Sequence, residues 1–308
     1  MKKNSIRNAF VAVLCLLSLA FLLWSLWNPL PIVKFVLRNT DVMERIRKNS
    51  PLPPKGVALD HTVEVIKAKN TTAIWLDRKN SSQGVLVYFH GGAYLKGPFE
   101  TQWKYVSRMI RKTSMAALVI DYKMPPEFPF PHGLEGSLEL IRELQKEGSL
   151  ANRWFLLGDS AGGGLALAIA FRLRETKSSL PQGLILMSPW LDLNMDNPNV
   201  DLVAPEDPML TKKFLIDSAN QYAPNADLKN PLISPVYGDV KGLPPILLQT
   251  GTADILLPDI RKFYEKCKEN GVSIRYEEYP EAFHVFMMLN PLKEARRAID
   301  SQKEFLLR

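Results

Sequence analysis

The pentapeptide Gly158-Asp159-Ser160-Ala161-Gly162 constrains this 308-residue chain more than any other feature. An apolar run from Trp154 to Leu157 precedes it, and the small residues from Ala161 to Phe171 predict a helix after it. A Gly-x-Ser-x-Gly sequence at a strand-to-helix junction holds its serine on a sharp, strained turn that projects the Oγ atom outward. The first turn of the helix adds free N–H groups and the positive end of its dipole. The pattern predicts that Ser160 is a nucleophile, although so short a pattern also occurs by chance in glycine-rich turns.

A second segment supplies the groups that an activated serine needs. The apolar run Val85 to Phe89 predicts a strand buried on both faces, and it leads directly into His90-Gly91-Gly92-Ala93. Glycines there let the backbone approach a ligand closely, and acyl transfer needs preorganised amides for the negative oxygen of the tetrahedral intermediate. We expect the N–H groups of Gly91, Gly92 and Ala161 to form this oxyanion hole. The histidine of the loop is expected to order it by hydrogen bonding rather than to transfer protons.

A serine nucleophile also needs a general base and an orienting carboxylate. Of four histidines, His284 comes late in the chain, in a loop after the strand-like run 273–276. Asp254 follows the predicted strand 245–250, which gives the chain order Ser, acid, His expected of this architecture. His284 is therefore the predicted base and Asp254 the predicted acid, with Asp259 as the alternative acid.

With these residues in place, the chain resembles the hormone-sensitive-lipase-like branch of the α/β-hydrolases over roughly residues 55–305. Six segments carry the resemblance, in the family's order: His90-Gly91-Gly92, Asp121 to Glu127, Gly158 to Gly163, Ser188-Pro189-Trp190, Gly251 to Asp254, and Phe283-His284. The resemblance implies that Ser160 is the nucleophile, Asp254 the acid and His284 the base. It departs from the family at Ala93, where the family usually has glycine, and an alanine there would be strained if its φ were positive.

The remaining pattern predicts one large α/β domain. Apolar strand-like runs alternate with helical patterns, which indicates an α/β-hydrolase fold with a mostly parallel central sheet, helices on both faces and a small helical cap. We expect residues 1–30 to be a membrane anchor and 31–308 the hydrolase domain. Cap elements are expected from 31–55 and from the proline-rich stretch 192–234, which interrupts the alternation.

The first thirty residues resemble a membrane-spanning segment. Three basic residues among the first seven precede an uncharged apolar run of 19 residues, 9–27. A helix of that length spans roughly 28 Å, close to the ~30 Å hydrocarbon core, and Trp24 and Trp27 suit its interface. We favour an uncleaved anchor over a signal peptide cleaved after 18–20, because cleavage there would leave apolar residues exposed. The basic excess before the segment predicts a single-pass protein with a lumenal or extracytoplasmic catalytic domain.

Composition excludes several other classes of function. The net charge of +7 is well mixed along the chain, so nucleic-acid binding is not expected. Cys15 and Cys267 lie in the apolar segment and a late helix and are not expected to pair. The sequence shows no metal-ligand spacing and no phosphate-cradling loop, so neither a cofactor nor a metal is expected. It does not specify the oligomeric state.

The sequence predicts a serine carboxylesterase or deacetylase that cleaves short- to medium-chain acyl esters of lipophilic compounds through an acyl-enzyme. The resemblance extends to membrane-anchored arylacetamide deacetylases and steryl acetyl hydrolases, which implies a small lipophilic ester as substrate. The expected pocket-lining residues are Tyr94, Trp190 and Phe286. Two alternatives stay open: a non-catalytic ligand receptor on the same fold, and a hydrolase of amides or carbamates.

Overall fold

The computed structural model describes residues 29–39, 48–150 and 153–308. The strands in this part are β1 Val63–Lys67, β2 Thr72–Leu76, β3 Val85–Phe89, β4 Ala116–Asp121, β5 Trp154–Asp159, β6 Leu184–Met187, β7 Ile246–Ala253 and β8 Ile274–Phe283. The α-helices are α1 Leu30–Asn39, α2 Lys55–Asp60, α3 Glu100–Thr113, α4 His132–Lys146, α5 Ala161–Glu175, α6 Val200–Val203, α7 Lys212–Tyr222, α8 Leu257–Glu269 and α9 Lys293–Leu307. Short 3₁₀ helices occupy Arg78–Gln83, Ala204–Glu206, Pro235–Tyr237 and Phe286–Met288.

The strands form one mostly parallel sheet. Its order in the described part of the chain is β1-β2-β4-β3-β5-β6-β7-β8. β1 pairs with β2 and β2 with β4 in antiparallel fashion, whereas every pairing from β4 through β8 is parallel. This sheet, with helices on both faces, confirms the predicted α/β-hydrolase fold. The carboxyl ends of its parallel strands meet at one edge, where ligand sites form in such folds.

The two faces of the sheet bury separate hydrophobic clusters. In β3, Val85, Val87 and Phe89 belong to one cluster, while Leu86 and Tyr88 belong to the other. The first cluster packs under α4, α5 and α8, and the second under α3 and α9. Because both faces are covered, the strand has no polar face, and this explains its unbroken apolar sequence.

One predicted strand is much shorter than the observed one. β8 runs on to Phe283, so His284 follows the strand directly, whereas the sequence predicted an end near residue 276. The part of the observed strand beyond residue 276 includes Glu277 and Glu278. Glu277 is accommodated there because its carboxylate accepts hydrogen bonds from Gln249 Nε2 at 2.7 Å and from Ser301 Oγ at 2.6 Å.

Two segments outside the regular α/β alternation are joined to each other. Arg38 of α1 donates hydrogen bonds to the backbone oxygens of Pro205 and Glu206 at 3.0 and 2.9 Å. Lys34 of the same helix lies 3.9 Å from the Glu206 carboxylate. These contacts hold α1 and the 192–234 segment together at the carboxyl edge of the sheet.

The predicted anchor, residues 1–30, lies almost entirely outside the described residues, as does Cys15. Among the helices that the structure does describe, none is long and apolar enough to cross a membrane.

Candidate active site

Ser160 lies on a strained turn between β5 and α5. Its backbone has φ +52° and ψ −124°, a conformation that residues with a side chain rarely adopt. The Ser160 N–H donates to Met187 O at 2.9 Å, so β6 holds the turn in place. The flanking glycines are required by close backbone contacts: a Cβ on Gly158 would lie 2.3 Å from Gly162 O, and one on Gly162 would lie 2.1 Å from Phe89 O.

The structure brings Ser160, His284 and Asp254 together in one hydrogen-bonded row. Ser160 Oγ lies 2.9 Å from His284 Nε2, and His284 Nδ1 lies 3.1 Å from each carboxylate oxygen of Asp254. All three residues are buried, with exposed fractions of 7%, 3% and 0% respectively. Asp254 Oδ1 also accepts the Leu256 N–H at 3.0 Å, which fixes the carboxylate. With Nδ1–H donated to Asp254, the free lone pair of Nε2 faces the serine hydroxyl.

The pKa of His284 is set by opposing influences. Burial lowers it, but the charge and hydrogen bond of Asp254, together with the charges of Asp207 and Asp159, more than offset this. The net effect raises the pKa above its usual 6.5. The site therefore favours an imidazolium beside Asp254, which is the species formed when His284 takes a proton from Ser160.

The loop after β3 corrects one predicted oxyanion donor. Gly91 lies close to the serine, since a Cβ on it would sit 2.9 Å from Ser160 Cβ. Its N–H, however, donates to Asp159 Oδ1 at 3.0 Å and is not available to a ligand. The prediction for Gly91 as a donor is wrong, because the direction of its N–H is set by a carboxylate on the neighbouring strand.

The carboxylate of Asp159 holds the loop after β3 in place, and no role was predicted for this residue from the sequence. In addition to the Gly91 N–H, its carboxylate accepts hydrogen bonds from the Tyr88 hydroxyl and from Gln102 Nε2, the latter at 3.0 Å. Burial raises its pKa, and these three hydrogen bonds act in the opposite direction. The signal was present in the motif itself, where Asp159 directly precedes Ser160.

Three other N–H groups surround the serine without an acceptor among the described residues: those of Gly92, Ala93 and Ala161. Gly92 has φ +125°, and a Cβ there would lie 1.9 Å from Lys96 O. Ala93 has φ +56°, so the departure from the family's usual glycine places an alanine in the left-handed region. That conformation costs an L-residue about 1–2 kcal/mol.

His90 is placed as the sequence predicted. Its Nδ1–H donates to Gly91 O at 2.9 Å, and its ring stacks on Tyr122 at 4.3 Å between centroids. The Tyr122 hydroxyl donates to His90 O at 2.7 Å. Burial lowers the pKa of His90 to about 4, so the ring is neutral and supports the loop.

A cavity of about 130 Å³ opens onto Ser160 and His284. Its wall is formed by α1, the loop after β3, the 192–234 segment and the residues that follow β8. The side chains from these parts are mainly apolar: Leu37, Leu95, Phe99, Met209, Leu210, Phe214, Leu215, Phe283, Val285, Met288 and Leu289. Such a lining accepts apolar groups next to a polar reaction centre.

The three predicted pocket residues do not line this cavity, and that prediction is wrong. Tyr94 stacks on Tyr222 at 3.8 Å between centroids. Trp190 lies 6.0 Å from the Tyr94 ring, and its indole N–H donates to Asp192 O. Phe286 packs against Tyr279. All three predicted side chains are buried, and they form core under the pocket rather than its surface.

Two further aspartates near the site differ in what they contact. Asp259, the alternative acid, lies in the first turn of α8, where its Oδ1 accepts Asn197 Nδ2 at 2.8 Å. The structure shows no hydrogen bond between Asp259 and His284, whereas Asp254 lies 3.1 Å from His284 Nδ1. Asp207, which the sequence reasoning missed, accepts the N–H of Ile255 at 2.9 Å, directly after Asp254. Its only sequence signal is an Asp-Pro pair, which reads as an ordinary turn.

A second Ser-His-Asp row lies between the β1–β2 hairpin and α3. His61 Nδ1 lies 2.7 Å from Asp77 Oδ2 and His61 Nε2 lies 2.8 Å from Ser107 Oγ. Ser107 is buried in α3, its Oγ accepts a hydrogen bond from Arg111, and it does not line the cavity that opens onto Ser160. This row is therefore a structural contact between the β1–β2 hairpin and α3, and it provides a matched control for Ser160.

Comparisons with known proteins show which family the chain is similar to. A family model described as alpha/beta hydrolase fold, Abhydrolase_3, matches residues 86–288. An acetyl-hydrolase of Streptomyces hygroscopicus is 32% identical over 271 residues, 84% of this chain and 91% of the relative. The putative acetyl-hydrolase LipR of Mycobacterium tuberculosis is 35% identical over 222 residues, 71% of each protein.

Solved structures are similar over nearly the whole chain. The crystal structure of EstE5 soaked with p-nitrophenyl butyrate has a TM-score of 0.81 at 32% identity, covering 91% of this chain and 97% of that one. A hormone-sensitive lipase from a metagenome library has a TM-score of 0.80 at 26% identity with the same coverage.

Proposed function

The chain belongs to the α/β hydrolase fold family as a serine hydrolase of carboxylic esters, and we propose that Ser160, His284 and Asp254 are its catalytic residues. The observation that supports this assignment best is the continuous row of hydrogen bonds from Ser160 Oγ through the imidazole to the Asp254 carboxylate. The row ends at an apolar cavity, where a substrate carbonyl can reach the serine.

In the proposed reaction the three residues act on the ester in two stages. Ser160 Oγ attacks the ester carbonyl carbon while His284 Nε2 takes the hydroxyl proton, and Asp254 stabilises the resulting imidazolium. When the tetrahedral intermediate collapses, the ester C–O bond breaks and the same Nε2–H protonates the departing alcohol. Water then attacks the acyl-enzyme with His284 again as base, which releases the acid and restores the serine.

We assign the oxyanion hole to the N–H groups of Gly92, Ala93 and Ala161. These groups have no acceptor within the described residues and lie on the two loops that meet at the serine. Preorganised amides in a buried site stabilise the developing negative charge strongly, and losing one such donor typically costs about 10²–10³ in kcat. Asp159 contributes indirectly to the oxyanion hole, because it accepts the N–H of Gly91, the residue before Gly92.

The wall of the cavity supports a lipophilic ester with a short or medium acyl chain as substrate. The cavity is small, about 130 Å³, and its lining side chains are mainly apolar. We expect activity on p-nitrophenyl esters to fall steeply between four and sixteen acyl carbons. A maximum at sixteen carbons would contradict the small-cavity argument and favour a lipase.

An active-site label tests the catalytic assignment directly. A fluorophosphonate probe is applied to the wild type, to Ser160→Ala and to Ser107→Ala, followed by peptide mapping. We expect labelling at Ser160 that disappears only in Ser160→Ala, with both variants folded by circular dichroism. Folded wild type that binds esters without labelling or turnover would instead indicate the receptor alternative.

We also propose that the sequence before the described residues tethers the enzyme to a membrane, with the catalytic domain on the extracytoplasmic or lumenal side. The tether is supported by the 19 uncharged, mainly apolar residues of 9–27, and the side of the membrane by the three basic residues that precede them. The full chain should sediment with membranes and resist carbonate extraction, whereas a chain lacking residues 1–28 should not. Full release of the complete chain by carbonate would refute the tether.

A further inference from the structure

Asp207 lies outside the row of proposed catalytic residues, and its buried carboxylate accepts three hydrogen bonds from backbone N–H groups near the site. Its Oδ2 accepts the Ile255 N–H at 2.9 Å. Its Oδ1 accepts the N–H groups of Met209 at 2.7 Å and Leu210 at 3.0 Å. One side chain, 8% exposed, thus joins two parts of the chain that are about fifty residues apart.

Each end of this connection has a consequence for the site. Ile255 directly follows Asp254, whose carboxylate faces His284, so fixing the Ile255 N–H fixes the turn that presents the acid. Met209 and Leu210 line the cavity beside Ser160. A single carboxylate is therefore hydrogen-bonded both to the turn that follows Asp254 and to one wall of the pocket.

We propose that Asp207 is a positioning residue for ester hydrolysis, which clamps the turn bearing Asp254 to the pocket wall formed by Met209 and Leu210. The inference rests on the proposed catalytic roles of Ser160, His284 and Asp254. An asparagine at 207 can accept hydrogen bonds with only one of its two terminal atoms, so it satisfies the pocket wall or the acid turn but not both.

The negative charge of Asp207 also acts on the catalytic base. The charges of three carboxylates raise the pKa of His284: Asp254 after β7, which also contacts the imidazole, Asp207 from the 192–234 segment, and Asp159 at the end of β5. Burial and the nearby charge of Asp254 raise the pKa of Asp207 to about 6, while His284 acts in the opposite direction. Above that pH the Asp207 charge favours the imidazolium, so its removal should lower the pKa of His284.

The test measures the rate of fluorophosphonate labelling from pH 5 to pH 9 for the wild type, Asp207→Asn and Asp192→Asn. Asp192 is a matched control because it is also buried in the 192–234 segment. Its carboxylate accepts the Asn194 N–H and the Tyr237 hydroxyl but none of the groups at the catalytic row. Rates are normalised to the labelled fraction at completion, so that inactive molecules do not count.

For Asp207→Asn we expect a plateau at least tenfold lower than wild type and a midpoint of the acidic limb displaced to lower pH. The matched control should keep the wild-type midpoint. An Asp207→Asn plateau equal to wild type, or a lower plateau with an unmoved midpoint, would overturn the proposal, since a merely structural role does not move the midpoint. The same displacement in Asp192→Asn would also overturn it.

If Asp207→Asn does not fold, Asp207→Glu separates charge from position. The glutamate keeps the charge but places it one methylene further from the backbone, so we expect an unmoved midpoint with a lower plateau. A wild-type plateau in this variant would refute the positioning role. Absence of labelling in the wild type would instead refute the proposed function, so the two failures are distinguishable.

Discussion

Replacing Asp254 by asparagine tests the central electrostatic interaction of the site. The substitution keeps the volume and removes the charge that faces His284 Nδ1 at 3.1 Å from both oxygens. With charge centres about 4 Å apart and an effective dielectric constant of about 20, the lost stabilisation of the imidazolium is about 4 kcal/mol. Since about 1.4 kcal/mol corresponds to a factor of ten, kcat/KM should fall about a thousandfold.

The assay is hydrolysis of p-nitrophenyl butyrate at pH 8 by wild type, Asp254→Asn and Asp259→Asn. Asp259 is the appropriate control because it is also buried and directly follows the same turn, but its carboxylate accepts a hydrogen bond from Asn197 rather than from His284. We expect Asp259→Asn to stay within threefold of wild type, a margin of about 0.6 kcal/mol. An Asp254→Asn enzyme within tenfold of wild type, or a larger loss in Asp259→Asn, would refute the reasoning.

Three further predictions address the turn, the base and the pocket. Gly162→Ala places a Cβ 2.1 Å from Phe89 O, so it should lower the free energy of unfolding by about 2–3 kcal/mol and abolish most of the activity. The control Gly56→Ala, whose Cβ would have nothing within 4 Å, should change neither stability nor activity. Thermal melts and ester assays measure both effects. In the pH profile of kcat/KM, the midpoint of the acidic limb should lie above pH 6.5, because activity needs neutral His284 and its raised pKa keeps the ring protonated to higher pH. A midpoint below pH 6.5 would contradict this. Leu37→Ala should raise KM for p-nitrophenyl hexanoate about tenfold and leave that for the acetate unchanged, whereas equal effects on both would show that α1 does not shape the acyl site.

The sequence predicted what depends on residue type and chain order. A serine between a strand and a helix, an aspartate after the next-to-last strand and a histidine after the last are recognisable without coordinates. The parallel strands then bring these ends to one edge of the sheet. The structure adds the hydrogen-bond distances that the order alone cannot give.

The oxyanion loop shows where such reasoning stops. A Gly-Gly pair after a strand indicates that the backbone comes close to a ligand, but not the direction in which each N–H points. That direction depends on Asp159, 68 residues later, which takes the Gly91 N–H. Ala93, at φ +56°, has an N–H without an acceptor among the described residues, at a position where the family usually has glycine.

The pocket-lining residues were predicted wrongly because their direction, too, depends on contacts between distant parts of the chain. Large aromatic residues beside a motif are equally compatible with core and with pocket, and Tyr94, with φ +62°, turns into the core to stack on Tyr222. The actual wall includes Leu37 and Phe214, from two segments that interrupt the α/β alternation. Their position over the site depends on tertiary contacts such as Arg38 with Pro205, which no local pattern encodes.

The charges around His284 explain why a site lined mainly by apolar side chains can form an imidazolium during attack. Burying a lone cation there would be costly, and burial does lower the pKa of this imidazole. Three carboxylates more than offset that effect, and each is itself held by backbone N–H groups: Asp254 by Leu256, Asp159 by Gly91, and Asp207 by Ile255. Because those N–H groups belong to the turn after Asp254 and to the loop after β3, the charges that act on His284 also fix the parts that we propose to present the acid and to bind the substrate carbonyl. Electrostatics and geometry are therefore coupled at this site, and removing any of the three carboxylates should change both the pH profile and the rate.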